Sequence, residues 1–497
     1  MLCEDCVKSK PTRKKGGLSI FLRIRYRSAV KSILWTTLLA GLLVSCSLPE
    51  ADVWHERAGM KTVGMPAEMI DKVILRGSVV SIIRNPVTGT HKGISMAHAR
   101  GEVLVDPLLK LMPSVDENYR GTHTIEEVLD LIGMPEPVPG NVEYLIDGKE
   151  FFTDINAEVR RAQKQIDTRV FIFDNDDIAM DFADLLKKKS KDVKCRVLLD
   201  EMGSIAAWWV APETKGKKPP LRESSIVDYL KDGSRVKVRK SLNPWLVADH
   251  SKLIVIDGKM AYLGGMNIGR EYRYEWHDMM VKVTGPAVTA LSNDFNRAWN
   301  LQGGWGDWAL PFHKKLKYRK QVREGEIGIR ILKTAAGNRD IEKAMLAAIR
   351  MSRKRVYLQN SYFTSDALQR ELMAARERGV DVRLVLPEDN DSALLKAGNQ
   401  AAAKQLVESG ARVYMYQPFS HIKAIVVDDW ACVGSANFDA LSLKINEELN
   451  ISFSDKAAVN RLVRDLFLKD FRASKLLRKR DVKDWDNLVM ESIADQL

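Results

Sequence analysis

Two runs whose histidines lie 171 residues apart constrain this chain more than any other feature. They are Asp249-His250-Ser251-Lys252-Leu253-Ile254-Val255-Ile256-Asp257-Gly258 and Ser420-His421-Ile422-Lys423-Ala424-Ile425-Val426-Val427-Asp428. In each, the β-branched stretch predicts a strand, and the aspartate at its end predicts the turn that closes it. Strand side chains alternate between faces, so each histidine is expected to project with the lysine two residues on. A nucleophile or proton donor then sits beside a fixed cation. Further strands are expected over 260–263 and 430–434. They lead to Gly264-Gly265-Met266-Asn267 and Gly434-Ser435-Ala436-Asn437, where glycine permits close backbone approach and asparagine offers an amide donor. Asn267 follows His250 by 17 residues and Asn437 follows His421 by 16.

The repeat extends upstream of both runs. Residues 154–200 read helix (155–166), strand (169–173), helix (180–189), strand (193–200). Residues 339–389 read the same way: helix (341–349), strand (355–359), helix (368–379), strand (380–387). Strands alternating with helices of this length predict an α/β fold, and the duplication predicts two similar halves, 141–312 and 313–497, packed with one active site between them. Residues 301–328, rich in Gly, Trp and basic side chains, read as a linker. Residues 46–140 form a small N-terminal extension to which the sequence assigns no role. Within it, Thr124-x-x-Glu127 predicts a capping box for a helix ending near Gly133, and Arg84-Asn85-Pro86 with Gly89 predicts a turn.

Two His-x-Lys-(x)4-Asp motifs, each followed by Gly-[Gly/Ser]-x-Asn and preceded by matching α/β units, resemble the phospholipase D superfamily. Trp276-His277-Asp278, Gly285-Pro286-Ala287-Val288, Phe295 with Trp299, residues 378–382 and Asn446-Glu447-Glu448-Leu449-Asn450 are similar to its bacterial cardiolipin synthase branch. The resemblance covers roughly residues 141–475 and implies two α/β/α halves that share one site. A phosphodiester is an anion that repels nucleophiles. Lys252, Lys423, Asn267 and Asn437 are therefore expected to bind its non-bridging oxygens and stabilise the charge of the transition state. The resemblance implies that His250 attacks phosphorus to form a phosphohistidine and that His421 protonates the leaving alkoxide. It implies as well that Asp278 and Glu448 hold the second nitrogens of the histidines, without saying which serves which. Asp257 and Asp428 are expected to brace the turns. No cofactor or metal is called for. His55, His91, His98, His123, His277 and His313 are read as structural.

The net charge of +12 suggests nucleic acid, but residues 1–45 hold nine Lys/Arg against two Asp/Glu, which leaves about +5 on the other 452 residues. Nucleic acid is therefore disfavoured as a partner. Those 45 residues read as a signal: Arg23, Arg25, Arg27 and Lys31 precede a 12-residue apolar run (33–44) that ends in Leu43-Val44-Ser45-Cys46. This resembles a bacterial lipoprotein signal, and the run is shorter than the roughly 20 residues that span a bilayer. Cys46 would be lipidated and Ser47 suits outer-membrane sorting, so an exported protein anchored at the periplasmic face of the envelope is expected. Translation from Val30 would give a leader of ordinary length. Cys3 and Cys6 lack a second pair for a zinc site, and Cys195 and Cys432 read as buried apolar residues. Trp208-Trp209 with Lys215, Lys217 and Lys218, and Trp305/Trp308/Phe312 ahead of residues 313–320, suit a membrane surface, or else pack under loops.

The expected function is phosphatidyl transfer of the cardiolipin synthase type between phospholipid substrates, with a monomer sufficient for a complete site. A hydrolytic phospholipase D, a nuclease and a non-catalytic lipid-binding protein are the alternatives.

Overall fold

The computed structural model describes residues 83–105, 119–204, 225–312, 314–390, 393–417, 419–483 and 485. The leader with Cys3, Cys6 and Cys46, the Trp208-Trp209 segment with its lysines, His55 and His313 lie outside the described residues.

The extension contributes helix α1 (Pro86–Val105) and helix α2 (Ile125–Leu131). Thr124 caps α2, and the reciprocal bonds between Thr124 and Glu127 form the expected capping box. The turn expected at 84–89 is instead the start of α1. Pro86 opens the helix, where a missing N–H costs nothing, and Gly89 N donates to Asn85 O at 2.7 Å. Gly93 of α1 serves packing: a Cβ there would lie 2.8 Å from the Trp245 indole nitrogen.

The first half holds β1 (Val138–Ile146), α3 (Asp147–Arg161), β2 (Gln165–Val170), α4 (Asp177–Lys189), β3 (Lys194–Asp200), β4 (Lys237–Ser241), β5 (Leu253–Ile256), β6 (Met260–Gly264), β7 (Met279–Thr284) and α5 (Pro286–Leu301). Its strands run in the order β1-β7-β6-β5-β2-β3-β4. The second half holds β8 (Ile327–Ala335), β9 (Asn338–Arg339), α6 (Asp340–Met351), β10 (Arg355–Gln359), α7 (Asp366–Glu377), β11 (Asp381–Pro387), α8 (Ala393–Glu408), β12 (Arg412–Tyr416), β13 (Ala424–Val427), β14 (Trp430–Gly434), β15 (Glu448–Phe453), α9 (Leu468–Ala473) and β16 (Lys475–Leu476). Its order, β8-β15-β14-β13-β10-β11-β12-β16, repeats the first.

The helix expected over 155–166 begins and ends earlier, as α3. Its apolar face (Phe151, Phe152, Ile155, Val159) is buried. It stops at Arg161 because the next free backbone N–H groups, of Gln163, Lys164 and Gln165, donate to the Asp257 carboxylate at 2.7–2.9 Å. The strand then starts at Gln165 rather than 169. Helix α4 is capped by Asp176, which accepts from Ala179 N, and ends in Lys187, Lys188 and Lys189, suited to the negative end of the helix dipole.

Strand β1 joins the halves. Residues 138–140 pair with β8 and residues 141–146 with β7. The two sheets also pack face to face, and strand alternation divides their residues between cores. Leu253, Val255, Ala424 and Val426 enter a core shared by both halves. Ile254 and Ile256 face α3 and α4, whereas Ile425 and Val427 face α6, α7 and α8. Cys195 and Cys432 are buried free thiols in β3 and β14.

Candidate active site

Both histidines lie in the short segments that lead into β5 and β13, just ahead of the strands expected to carry them. Strands begin only at Leu253 and Ala424. The reason is local. His250 N donates to Glu447 O at 2.9 Å and His421 N to His277 O at 2.7 Å, so these segments bond across to the other half and leave their own sheets. Each lysine folds back on its own histidine: Lys252 Nζ and Lys423 Nζ donate to the carbonyls of His250 and His421, both at 2.8 Å. Lys423 Nζ also reaches Ser361 Oγ at 2.9 Å.

The orienting carboxylates cross between halves. Glu448 of the second half takes His250 Nδ1 at 2.8 Å, and Asp278 of the first takes His421 Nδ1 at 2.8 Å. Each histidine thus keeps Nε2 for chemistry while the opposite half fixes its ring. Gly265 and Ser435 precede these contacts at matching positions and act differently. A Cβ on Gly265 would sit 2.2 Å from Asp278 Oδ1, so only glycine leaves the carboxylate room. Ser435 Oγ instead donates to Glu448 Oε2 at 2.6 Å.

The two pairs differ electrostatically, and that hydroxyl is one contribution to the difference. Burial raises Glu448, but His250, Lys252 and the Ser435 hydroxyl outweigh it and hold the carboxyl below its ordinary value. Burial pushes Asp278 up to about 7 against the opposing pull of Lys423 and the Met279 N–H. Burial, with Lys423, Lys252 and His250 nearby, takes His421 well below its ordinary value, and burial lowers His250 despite Glu448. The His421–Asp278 pair therefore holds one proton near neutral pH, whereas His250 is a free base beside an ionised Glu448. Burial brings Lys252 down to about 7, against Glu448.

Behind each pair stands a buttress of opposite charge, which the sequence reading missed. Glu447, whose backbone binds His250, is gripped by Lys92 Nζ at 2.5 Å and Arg169 at 2.8 Å. Arg169 also holds Asp249 at 2.7 Å and Asp294 at 3.0 Å. His277, whose carbonyl binds His421, is gripped by Asp147 at 2.6 Å and Asp470 at 2.9 Å and stacks on Tyr416. Burial opposes its charge, but the two carboxylates outweigh burial and raise it to about 9. The signal was available in sequence: Glu447-Glu448 and His277-Asp278 are matching dipeptides. Lys92 was invisible because it comes from α1, in the extension with no assigned role.

Asn267 accepts from Ile172 N at 3.0 Å and donates to Tyr272 Oη at 2.8 Å. Asn437 is buried and its Oδ1 meets no protein donor. Asp257 and Asp428 sit at the turns with left-handed φ of 54° and 52° and face away from the histidines. Asp428 accepts from Arg353, Lys354 and Arg355 N at 2.8–3.0 Å, as Asp257 does in the first half. Aromatic rings wall the site. Phe171 packs edge-on to His250 at 4.8 Å, and Trp276 and Phe419 lie 5.1 and 6.0 Å from His421. Among the described residues no group of three or more His, Cys, Asp or Glu could hold a metal ion.

A family model described as cardiolipin synthase, phospholipase D-like domain, matches residues 155–299 and 345–470, ranges that contain all ten candidate site residues. Cardiolipin synthase 1 of Bacillus cereus is 26% identical over 417 residues, covering 80% of this chain and 78% of the relative. The cardiolipin synthase of Listeria innocua is 30% identical over 358 residues, covering 67% and 69%. In fold, the chain is similar to the phosphatidylserine synthase of Haemophilus influenzae Rd KW20, with a TM-score of 0.54 at 16% identity, over 71% of this chain and 91% of that one.

Proposed function

This chain belongs to the cardiolipin synthase family of phospholipase D-like enzymes, and from that premise we propose that it transfers a phosphatidyl group to phosphatidylglycerol through a phosphohistidine on His250. The observation that carries the reading is the unequal pair of crossed carboxylates. His250 Nε2, unprotonated and oriented by Glu448, attacks phosphorus as the bond to the leaving alkoxide breaks. The alkoxide takes the proton held by the His421–Asp278 pair. In the second step the acceptor hydroxyl gives its proton back to His421 while its oxygen attacks phosphorus and the P–N bond breaks. Lys252, Lys423, Asn267 and Asn437 offset the charge that gathers on the non-bridging oxygens. Asp257 and Asp428 act through the turns they hold.

The lipidated Cys46, export, and residence at the periplasmic face of the outer membrane belong to the same proposal, supported by the basic and apolar leader. Failure of the protein to incorporate a labelled fatty acid, or incorporation that persists in Cys46→Ala, would count against that anchor.

The chemical test is product analysis with phosphatidylglycerol in detergent micelles. Cardiolipin and free glycerol are expected. Phosphatidic acid as sole product would replace transfer with hydrolysis, and DNA cleavage without lipid turnover would favour a nuclease. His250→Ala and His421→Ala should each lower turnover by about 100-fold or more. Full activity in either would remove the two-histidine mechanism.

A further inference from the structure

Five large apolar side chains stand in water at one place on the molecule. Trp305, Trp308 and Phe312 are 77%, 66% and 86% exposed, and Ile83 and Val87 at the start of α1 are 74% and 73% exposed. The two segments are fastened together by their polar and small residues. Asp307 accepts from Val87 N and Thr88 N, both at 2.8 Å, and a Cβ on Gly306 would lie 2.2 Å from Arg84 O. With Asp307 and Gly306 turned inward, the aromatic side chains beside them are left facing out.

We propose that this face docks onto the surface of an anionic phospholipid bilayer. Residues 314–323 add six Lys/Arg and no acid. Arg319 and Lys320 are engaged by Glu326 and Glu136, whereas Lys314, Lys315 and Lys317 stay exposed. Exposed indole rings followed in the chain by exposed lysines match the headgroup region, where an apolar body and a cation both find partners. A second copy of this chain is a poorer occupant, because a two-fold contact would set these lysines against their own counterparts. A cavity of about 240 Å³ runs from Val87 and Leu310 at the patch past Lys92, Arg169 and Glu447 to Ser251 and Glu448, behind the His250 pair.

The choice of partner rests on the proposed lipid chemistry, but binding is read without turnover. A chain that bound vesicles yet made no cardiolipin would overturn the enzymatic reading alone. The experiment is co-sedimentation of the full chain, carrying Cys46→Ser so that no acyl group contributes, with vesicles of phosphatidylcholine alone or mixed with phosphatidylglycerol. Trp305→Ala/Trp308→Ala/Phe312→Ala should lower binding to the mixed vesicles at least tenfold with the melting temperature unchanged. Lys314→Glu/Lys315→Glu/Lys317→Glu should abolish the preference for phosphatidylglycerol. Binding equal to the parent's in the aromatic variant would overturn the proposal. So would a parent that is dimeric in sedimentation velocity and becomes monomeric in that variant while its vesicle binding persists.

Discussion

Ser435 and Gly265 occupy matching positions, and the hydroxyl that only one of them carries adds to the pull of His250 and Lys252 in holding Glu448 below its ordinary value. Glu448 must be ionised to hold His250, and its value is depressed, so activity is lost as pH falls through it. Ser435→Ala removes a donor from a buried carboxylate and raises that value. The acidic limb of the kcat/KM profile should move to higher pH, with activity near pH 7 within a few fold of the parent. Superposable profiles would show the hydroxyl to be idle. The loss of the proton on the His421–Asp278 pair should set a descending limb near pH 7, where Asp278 titrates. In sequence, His250, Lys252, Asp257, Asn267 and their counterparts were legible as candidates from the repeated motif, and Asp278 and Glu448 only through the family resemblance. The crossing of the carboxylates was not, since it depends on how one half sits against the other.

Helix α1 shows what an element contributes beyond its own residues. Asp307 satisfies two of the free N–H groups at its start, and α1 in turn carries Lys92 to Glu447. Asp307→Ala should cost about 1 kcal/mol of helix stability. It should speed hydrogen exchange over residues 86–99 while the strands keep their protection, and unchanged exchange in α1 would refute the capping role. The repeated helices and strands were readable from their periodicity, with β10 found at its observed limits. Boundaries failed where a distant side chain intervened. Asp257 ends α3 from across the half, and the residues around Gly89 that local rules read as a turn open α1 instead.

Across the whole molecule, His277 ties the first half, through Asp147, to Asp470 of α9 in the second. Its value is raised, so its contribution to stability is complete below about 6.5 and is lost as pH rises through about 9. Asp147 is half exposed and screened by water, which leaves the buried Asp470 the larger share. His277→Asn should therefore melt several degrees below the parent at pH 6, with the gap closing by pH 10; a gap independent of pH would assign the loss to packing. The two-half architecture was evident in the duplicated motif, whereas the role of β1 in pairing with both sheets was not, because a strand's partners are set by the assembled core. The unequal surroundings of the two histidines carry a last consequence. Two identical halves would give both rings the same environment, and nothing would decide which attacked and which donated. Joining the copies in one chain lets Glu448 and Asp278 differ, so the proposed assignment of attack to one ring and proton donation to the other rests on a broken symmetry.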